Sequence, residues 1–83
     1  MNILVVEDEP LVADFVRRGL TAEGHHVTVV DTGMAGQGHA LAGGFDLMLL
    51  DVNLPDRQGF EVCEQLRGSG VAVPIIMLTA RDS

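Results

Sequence analysis

Three short apolar runs constrain the fold of this chain more than any other feature of its sequence. The runs cover residues 3–6, 47–50 and 75–78, and none alternates with polar residues as a half-exposed antiparallel strand does. Continuous apolar runs are typical of strands covered on both faces, which is the arrangement in a parallel sheet. A fourth run, residues 27–30, follows two histidines and contains a threonine, which predicts an edge strand.

The segments between the runs predict three helices. The first, EPLVADFVRRGLTAEG, begins with a proline suited to a first helical turn and ends with a glycine suited to a stop. The second, GMAGQGHALAGG, is weaker because Gly36 and Gly38 each cost about 1 kcal/mol relative to alanine. In the third, GFEVCEQLRGSG, Val62, Cys63 and Leu66 share the inner side. We expect the first helix to pack into the core through the following residues: Leu11, Val12, Phe15, Val16 and Leu20.

The alternation of strands and helices gives the order β-α-β-α-β-α-β. We expect a single domain over residues 1–83, with an α/β fold in which right-handed crossovers build an open parallel sheet. In such sheets, ligands bind beyond the carboxyl ends of the strands, at the point where the strand order reverses. A functional site is therefore expected at the strand ends.

Acidic side chains stand at the ends of two predicted strands. Glu7 and Asp8 follow the first run, and Asp51 follows the third. If these strands are parallel neighbours, the carboxylates lie close together, and their repulsion raises their pKa values or requires a cation. A hard divalent cation with oxygen ligands, Mg²⁺, fits this arrangement. Glu9 is instead expected to supply favourable charge at a helix N-terminus.

Asp51 is also a candidate nucleophile. Aspartate forms acyl-phosphate intermediates in several classes of enzyme. Thr79 follows the fourth run and supplies a hydroxyl donor for a phosphoryl group at the same edge. The alternatives are a turn or helix-capping role for Asp51 and an ordinary strand-end position for Thr79.

The charge of the chain argues against several functions. The 83 residues carry a net charge of −7 and include no lysine, so no basic patch for nucleic acid is visible. The one cysteine, Cys63, excludes an intramolecular disulfide and is expected to be a packed core thiol. No apolar run approaches membrane-spanning length and the first residues do not form a signal peptide, so we expect a cytoplasmic location and no membrane partner.

Histidines and glycines offer two further interpretations, both weaker. His25, His26 and His39 suggest a metal site, but they lie away from the predicted carboxylate edge and are expected on the surface. The glycines of the second helix have the spacing G-x-x-G-x-G, which differs from the dinucleotide-binding fingerprint and follows the second strand. No organic cofactor is therefore expected.

Three motifs, ILVVEDEP, LLDVNLPDRQGFEV and PIIMLTARDS, resemble the receiver domain of bacterial two-component response regulators in their order and spacing. The resemblance covers the whole chain and implies the flavodoxin-like receiver fold. It implies that Asp51 accepts a phosphoryl group from a sensor histidine kinase, and that Asp8 and Asp51 bind Mg²⁺ together with the carbonyl of Asn53. Glu7 would assist through water, and Thr79 would turn toward the phosphate and start the conformational switch.

The resemblance also has implications for the loop after Asp51 and for the domain that such receivers control. Leu54, Pro55 and Gly59 would shape the loop that follows Asp51. The last two motifs are most similar to those of regulators that carry a C-terminal winged-helix DNA-binding domain. This segment itself is therefore expected to make no direct contact with nucleic acid.

The sequence departs from the family pattern at its end. Receiver domains usually have five strands and five helices, with a lysine at the end of the fifth strand, whereas this sequence stops after the fourth strand and has no lysine. We therefore expect the N-terminal portion of an incomplete receiver, lacking the last helix, strand and helix. The edge at residues 75–78 would be exposed, the first helix would lose a neighbour, and a homodimer or oligomer through this edge is expected.

Three functions compete on this sequence. The first is an Mg²⁺-dependent phosphoacceptor in signal transduction, which is not itself an enzyme. The second is a phosphohydrolase with an aspartate nucleophile; such enzymes usually need a second aspartate two residues later, and Asn53 at that position argues against turnover. The third is a truncated, phosphorylation-impaired receiver fragment that acts as a swapped or dimerising interaction module.

Overall fold

Strands and helices alternate strictly along residues 1–78, which are the residues that the computed structural model describes. All the paired strands run parallel. The predicted α/β fold with an open parallel sheet is confirmed. The elements are β1 (Asn2–Val6), α1 (Pro10–Ala22), β2 (His26–Val30), α2 (Gly33–Ala42), β3 (Leu47–Asp51), α3 (Gly59–Gly68) and β4 (Ile75–Leu78).

The sheet has the strand order β2-β1-β3-β4, so the direction in which strands are added reverses between β1 and β3. Val6, the last residue of β1, pairs with Val30 on one side and with Leu50 on the other. β2 is an edge strand, as predicted. This register brings the carboxyl ends of β1 and β3 side by side at the reversal point, where sheets of this kind bind ligands.

The main core lies on the face of the sheet that carries α2 and α3. Val62 and Leu66 are fully buried there, and Cys63 is half-buried against them, as the spacing of the third helix predicts. Burial of residues 3–6 of β1 is complete or nearly so, which agrees with a strand covered on both faces. The buried cluster consists of Leu4, Val6, Ala40, Met48, Leu50, Leu54, Val62 and Leu66.

Helix α1 covers the opposite face less completely. A right-handed crossover from β1 to β2 places α1 on the face away from α2 and α3, and its main contacts are with these two strands. Ala13 is buried and Val16 is half-buried, but Leu11 is 80% exposed and Phe15 is 75% exposed. The prediction that the whole apolar stripe packs into the core is therefore wrong for these two residues. Among the described residues, no element covers the flank of α1 that carries them.

Helix α2 approaches β1 closely because of one glycine. A Cβ at Gly36 would lie 2.6 Å from Cγ2 of Val6, which is closer than such atoms pack, whereas a Cβ at Gly38 would meet nothing within 4 Å. The hydroxyl oxygen of Thr32 caps the helix by accepting a hydrogen bond from the N–H of Ala35 at 3.1 Å. The two glycines that weaken this helix therefore differ, since only Gly36 has a packing role.

The helices are short. α1 has 13 residues, and α2 and α3 have 10 each. Within residues 1–78, no helix has both the length and the apolar character needed to cross a membrane.

Candidate metal and phosphoacceptor site

Three carboxylates meet at the carboxyl edge of the sheet. Glu7 and Asp8 follow β1, Asp51 ends β3, and one oxygen from each lies within 4.8 Å of the others. Glu7 is 5% exposed and Asp51 is 8% exposed, while Asp8 is open to solvent. The group therefore has two nearly buried acids and one that faces outward, which is a geometry able to bind one cation from the surface.

The electrostatics of Glu7 reflect this crowding. Burial raises the pKa of Glu7 above its ordinary value of 4.5, and the charges of Asp51 and Asp8 raise it further. The N–H of Glu9 opposes the rise by donating a hydrogen bond to Oε2 of Glu7 at 3.0 Å. The ionised form of Glu7 is thus costly in the folded chain, and a bound cation would offset that cost.

The loop after Asp51 is closed at its base. The N–H of Gly59 donates to the carbonyl of Val52 at 2.7 Å, and Asn53 forms an isolated antiparallel bridge with Gln58. The N–H of Asn53 also points to Oδ1 of Asp51, at 3.4 Å. The backbone of Asn53 is therefore held next to the candidate phosphoacceptor.

Gly59 and Leu54 fix this loop against the core. A side chain at Gly59 would clash with the carbonyl oxygen of Asp51, so only glycine allows α3 to begin this close to β3. Leu54 is 9% exposed and belongs to the buried cluster, whereas Pro55 between them is exposed. The loop-shaping roles that the sequence implied for Gly59 and Leu54 thus have a physical basis in steric fit and in burial.

An open cavity of about 430 Å³ adjoins the carboxylates. Its polar wall includes Glu7, Asp8 and Asp31, and its apolar wall includes Pro10 and Val30. The cavity opens to solvent beside Glu7 and Asp8.

Other predicted residues take the following places. Glu9 stands before α1, and its Oε1 accepts a hydrogen bond from the N–H of Leu11 at 3.4 Å, which suits its predicted role at the helix N-terminus. His25 contacts the N-terminal amine at the opposite end of β1, at 3.0 Å, and His39 lies edge-on to Phe45. Thr79, the predicted switch residue, lies outside the residues that the structure describes.

Sequence reasoning missed one contact of the loop beside the site. The two carboxylate oxygens of Asp56, in the loop after Asp51, accept hydrogen bonds from the N–H groups of Gly33 and Met34 at 2.7 and 2.9 Å. These hydrogen bonds lower the pKa of Asp56 below its ordinary value of 3.8. The partners are 23 and 22 residues apart along the chain, so no local pattern signals the contact.

Comparison with known proteins decides the family. The family model described as "Response regulator receiver domain" matches residues 3–83. The chain belongs to the response regulator receiver family. This receiver is 42% identical over 82 residues to the response regulator protein PmrA of Pseudomonas aeruginosa, and 47% identical over 83 residues to the transcriptional regulatory protein TcrA of Mycobacterium tuberculosis.

The matches cover nearly all of the receiver but only part of its relatives. They span 99% and 100% of this chain, and 37% and 33% of PmrA and TcrA, so the receiver is about a third as long as these curated relatives. Among solved structures, the receiver resembles the response regulator TrrA of Thermotoga maritima, solved in complex with Mg²⁺–BeF. The TM-score is 0.90 at 32% identity, and the match covers 98% of this chain and 70% of TrrA.

Proposed function

We propose that this receiver is an Mg²⁺-dependent phosphoacceptor, in which Asp51 receives a phosphoryl group from a sensor histidine kinase in a two-component system. The observation that carries the proposal is the convergence of the Glu7, Asp8 and Asp51 carboxylates within 4.8 Å at the edge where the strand order reverses. Family membership supports it, because the family match over residues 3–83 includes all three carboxylates.

The donor set fits Mg²⁺. Two carboxylates and a backbone carbonyl are oxygen ligands of the kind this hard cation takes, and it commonly keeps its other positions for water and phosphate oxygens. Asp8, Asp51 and the carbonyl of Asn53 would hold the ion, with Glu7 assisting through water. When bound, the ion would neutralise the acidic edge and so permit an anionic phosphoryl group to approach. The Mg²⁺–BeF complex of the similar TrrA supports this assignment.

The transfer itself requires an ionised and accessible Asp51. An oxygen of Asp51 would form the new P–O bond as the P–N bond of a phosphohistidine breaks, and the bonding electron pair would stay with the imidazole nitrogen. Asp51 is the last residue of β3, at the carboxyl edge of the sheet, and it is 8% exposed.

Turnover as a phosphohydrolase is not expected. The residue two positions after the nucleophile is Asn53, which has no carboxyl proton to donate to a leaving group. The receiver would therefore keep its phosphoryl group long enough to signal, and would be a switch component rather than an enzyme.

The output would come from a separate domain. Relatives such as TcrA are named transcriptional regulatory proteins and are about three times as long as this chain. We propose a cytoplasmic transcription regulator with a winged-helix DNA-binding domain. The net charge of −7 supports an indirect role for this segment, since it would repel a phosphate backbone.

A second candidate function is self-association through β4. Among residues 1–78, β4 pairs only with β3, and Ile76 on this edge strand is 51% exposed. An apolar edge strand with free backbone groups favours pairing with another chain. A homodimer through this edge would be compatible with phosphorylation, because the acidic site lies at the ends of the strands.

Acetyl phosphate with Mg²⁺ tests the phosphoacceptor directly. Intact-mass spectrometry should show the addition of one phosphoryl group, which should be absent without Mg²⁺ and absent in Asp51→Asn. The control Asp14→Asn, which alters an exposed carboxylate on α1, should be phosphorylated like the wild type. Rapid release of phosphate by the wild type would favour the hydrolase instead, and Mg²⁺ binding without any mass gain would favour the interaction module.

A further inference from the structure

The loop after Asp51 is hydrogen-bonded to the N-terminus of α2. Asp56 accepts hydrogen bonds from the first two N–H groups of α2, those of Gly33 and Met34, at 2.7 and 2.9 Å. These donors have no partner inside the helix, so a carboxylate from elsewhere in the chain satisfies them. We call this pair of hydrogen bonds the Asp56 clasp.

Arg57 reinforces the clasp from the neighbouring position. Its Cγ and Cδ pack against Gly33, where a Cβ would lie only 2.6 and 2.8 Å from them. Its Nη1 donates to Oε1 of Gln37 at 2.9 Å, and Gln37 in turn donates to Oε1 of Gln65 on α3 at 2.8 Å. Its Nε lies 3.6 Å from Asp56 and is buried. Two successive loop residues are therefore held by the same helix.

The clasp restrains the exposed part of the loop, on the side away from the buried Leu54. The base of the loop is closed by the Gly59–Val52 hydrogen bond and by the bridge from Asn53 to Gln58. Between these points Pro55 is exposed. Without the two Asp56 hydrogen bonds, Arg57 would be the remaining described contact of the loop tip with α2, and the loop beside Asn53 would be less firmly held.

We propose that Asp56 is a positioning residue for the metal site: the clasp holds the loop so that the Asn53 carbonyl and the Asp51 carboxylate face the same cation. This inference rests on the proposed function, because it assumes that Mg²⁺ binds at these groups. Coupling of this kind is reciprocal, so Mg²⁺ at the site would also stabilise the clasp and the first turn of α2.

Mg²⁺ titration by calorimetry tests the role of Asp56. Asp56→Ala should raise the dissociation constant for Mg²⁺ about fivefold, a factor that corresponds to the free energy typically lost with one helix cap. Asp56→Asn should recover most of the affinity, because its amide oxygen still accepts a hydrogen bond. The matched control is Thr32→Ala, which removes the other cap of α2 without touching the loop and should leave the affinity within about twofold.

Hydrogen exchange provides a measurement that does not depend on any variant. Mg²⁺ should slow exchange of the Gly33 and Met34 amides more than that of Ala35, whose N–H is capped by Thr32. Equal losses of affinity in Asp56→Ala and Thr32→Ala, or amide exchange that Mg²⁺ does not change, would overturn the positioning role. A wild-type chain that fails to bind Mg²⁺ would instead overturn the proposed function, and this inference with it.

Discussion

At the scale of single residues, position relative to the strand ends decides which acidic groups converge. Glu7 is nearly buried beside two other carboxylates, whereas Glu9, two positions later, lies at the exposed start of a helix. The sequence predicted this division because parallel strands of matched length bring the residues after them to one edge. It could not predict Asp56, because that contact depends on how α2 sits over the sheet.

Glu7 should make stability fall as pH rises. Its pKa is raised in the folded chain, so the folded state binds the proton more tightly than the unfolded state. The free energy of unfolding should therefore decrease as pH rises from 4.5 through the raised pKa, and remain lower above it. In chelator, Glu7→Gln should be more stable than the wild type at neutral pH and equal to it below that window.

Urea unfolding across this pH range measures the effect. Glu64→Gln makes the same chemical change at an exposed position of α3 and should leave the pH profile unaltered. Added Mg²⁺ should stabilise the wild type more than Glu7→Gln. Superimposable profiles for Glu7→Gln and the wild type would contradict the assignment of this pH dependence to Glu7.

At the scale of elements, the sequence predicted each strand and helix because two signals agree along the chain. The spacing of the apolar residues and the residues that start or stop helices indicate the same elements. It did not predict how completely each helix is covered. The spacing of Leu11 and Phe15 places them on the apolar side of α1, but their exposure depends on where the helix lies across β1 and β2. Local pattern carries no information about that placement.

The two interior glycines of α2 should respond oppositely to alanine. Gly36→Ala should destabilise the chain by about 1–3 kcal/mol, because its Cβ would overlap Val6 and force α2 from the sheet. Gly38→Ala should stabilise it by up to about 1 kcal/mol, because that position faces open space and alanine favours the helix. Urea unfolding measures both, and a gain in stability from Gly36→Ala would contradict the close approach of α2 to β1.

At the scale of the whole molecule, exposed large apolar side chains lie on all three helices and on the edge strand β4 of the described chain. Leu11 and Phe15 lie on the flank of α1, and Ile76 lies on the edge strand β4. A strongly negative chain tends to stay soluble despite such groups, since like charges oppose association. Any self-association is therefore expected to be specific to an apolar surface and to strengthen with added salt.

Ile76→Lys should weaken self-association through the β4 edge. Lysine on an edge strand opposes pairing, and loss of one buried isoleucine contact should raise a dimer dissociation constant about tenfold. Leu41→Lys is the matched control, since Leu41 is 52% exposed against 51% for Ile76 but lies on α2. Analytical ultracentrifugation measures both variants. A wild-type chain that is monomeric at micromolar concentration, or equal effects of the two lysines, would exclude the edge as the interface.

The fit of Gly59 against the Asp51 carbonyl has a mechanical consequence. The first residue of α3 packs directly against the main chain of Asp51, with no side chain of its own between them. A change in the conformation of residue 51 would be transmitted to that helix by direct collision. A chemical event at the Asp51 carboxylate that shifts this main chain would therefore be felt first at the start of α3, a helix of 10 residues.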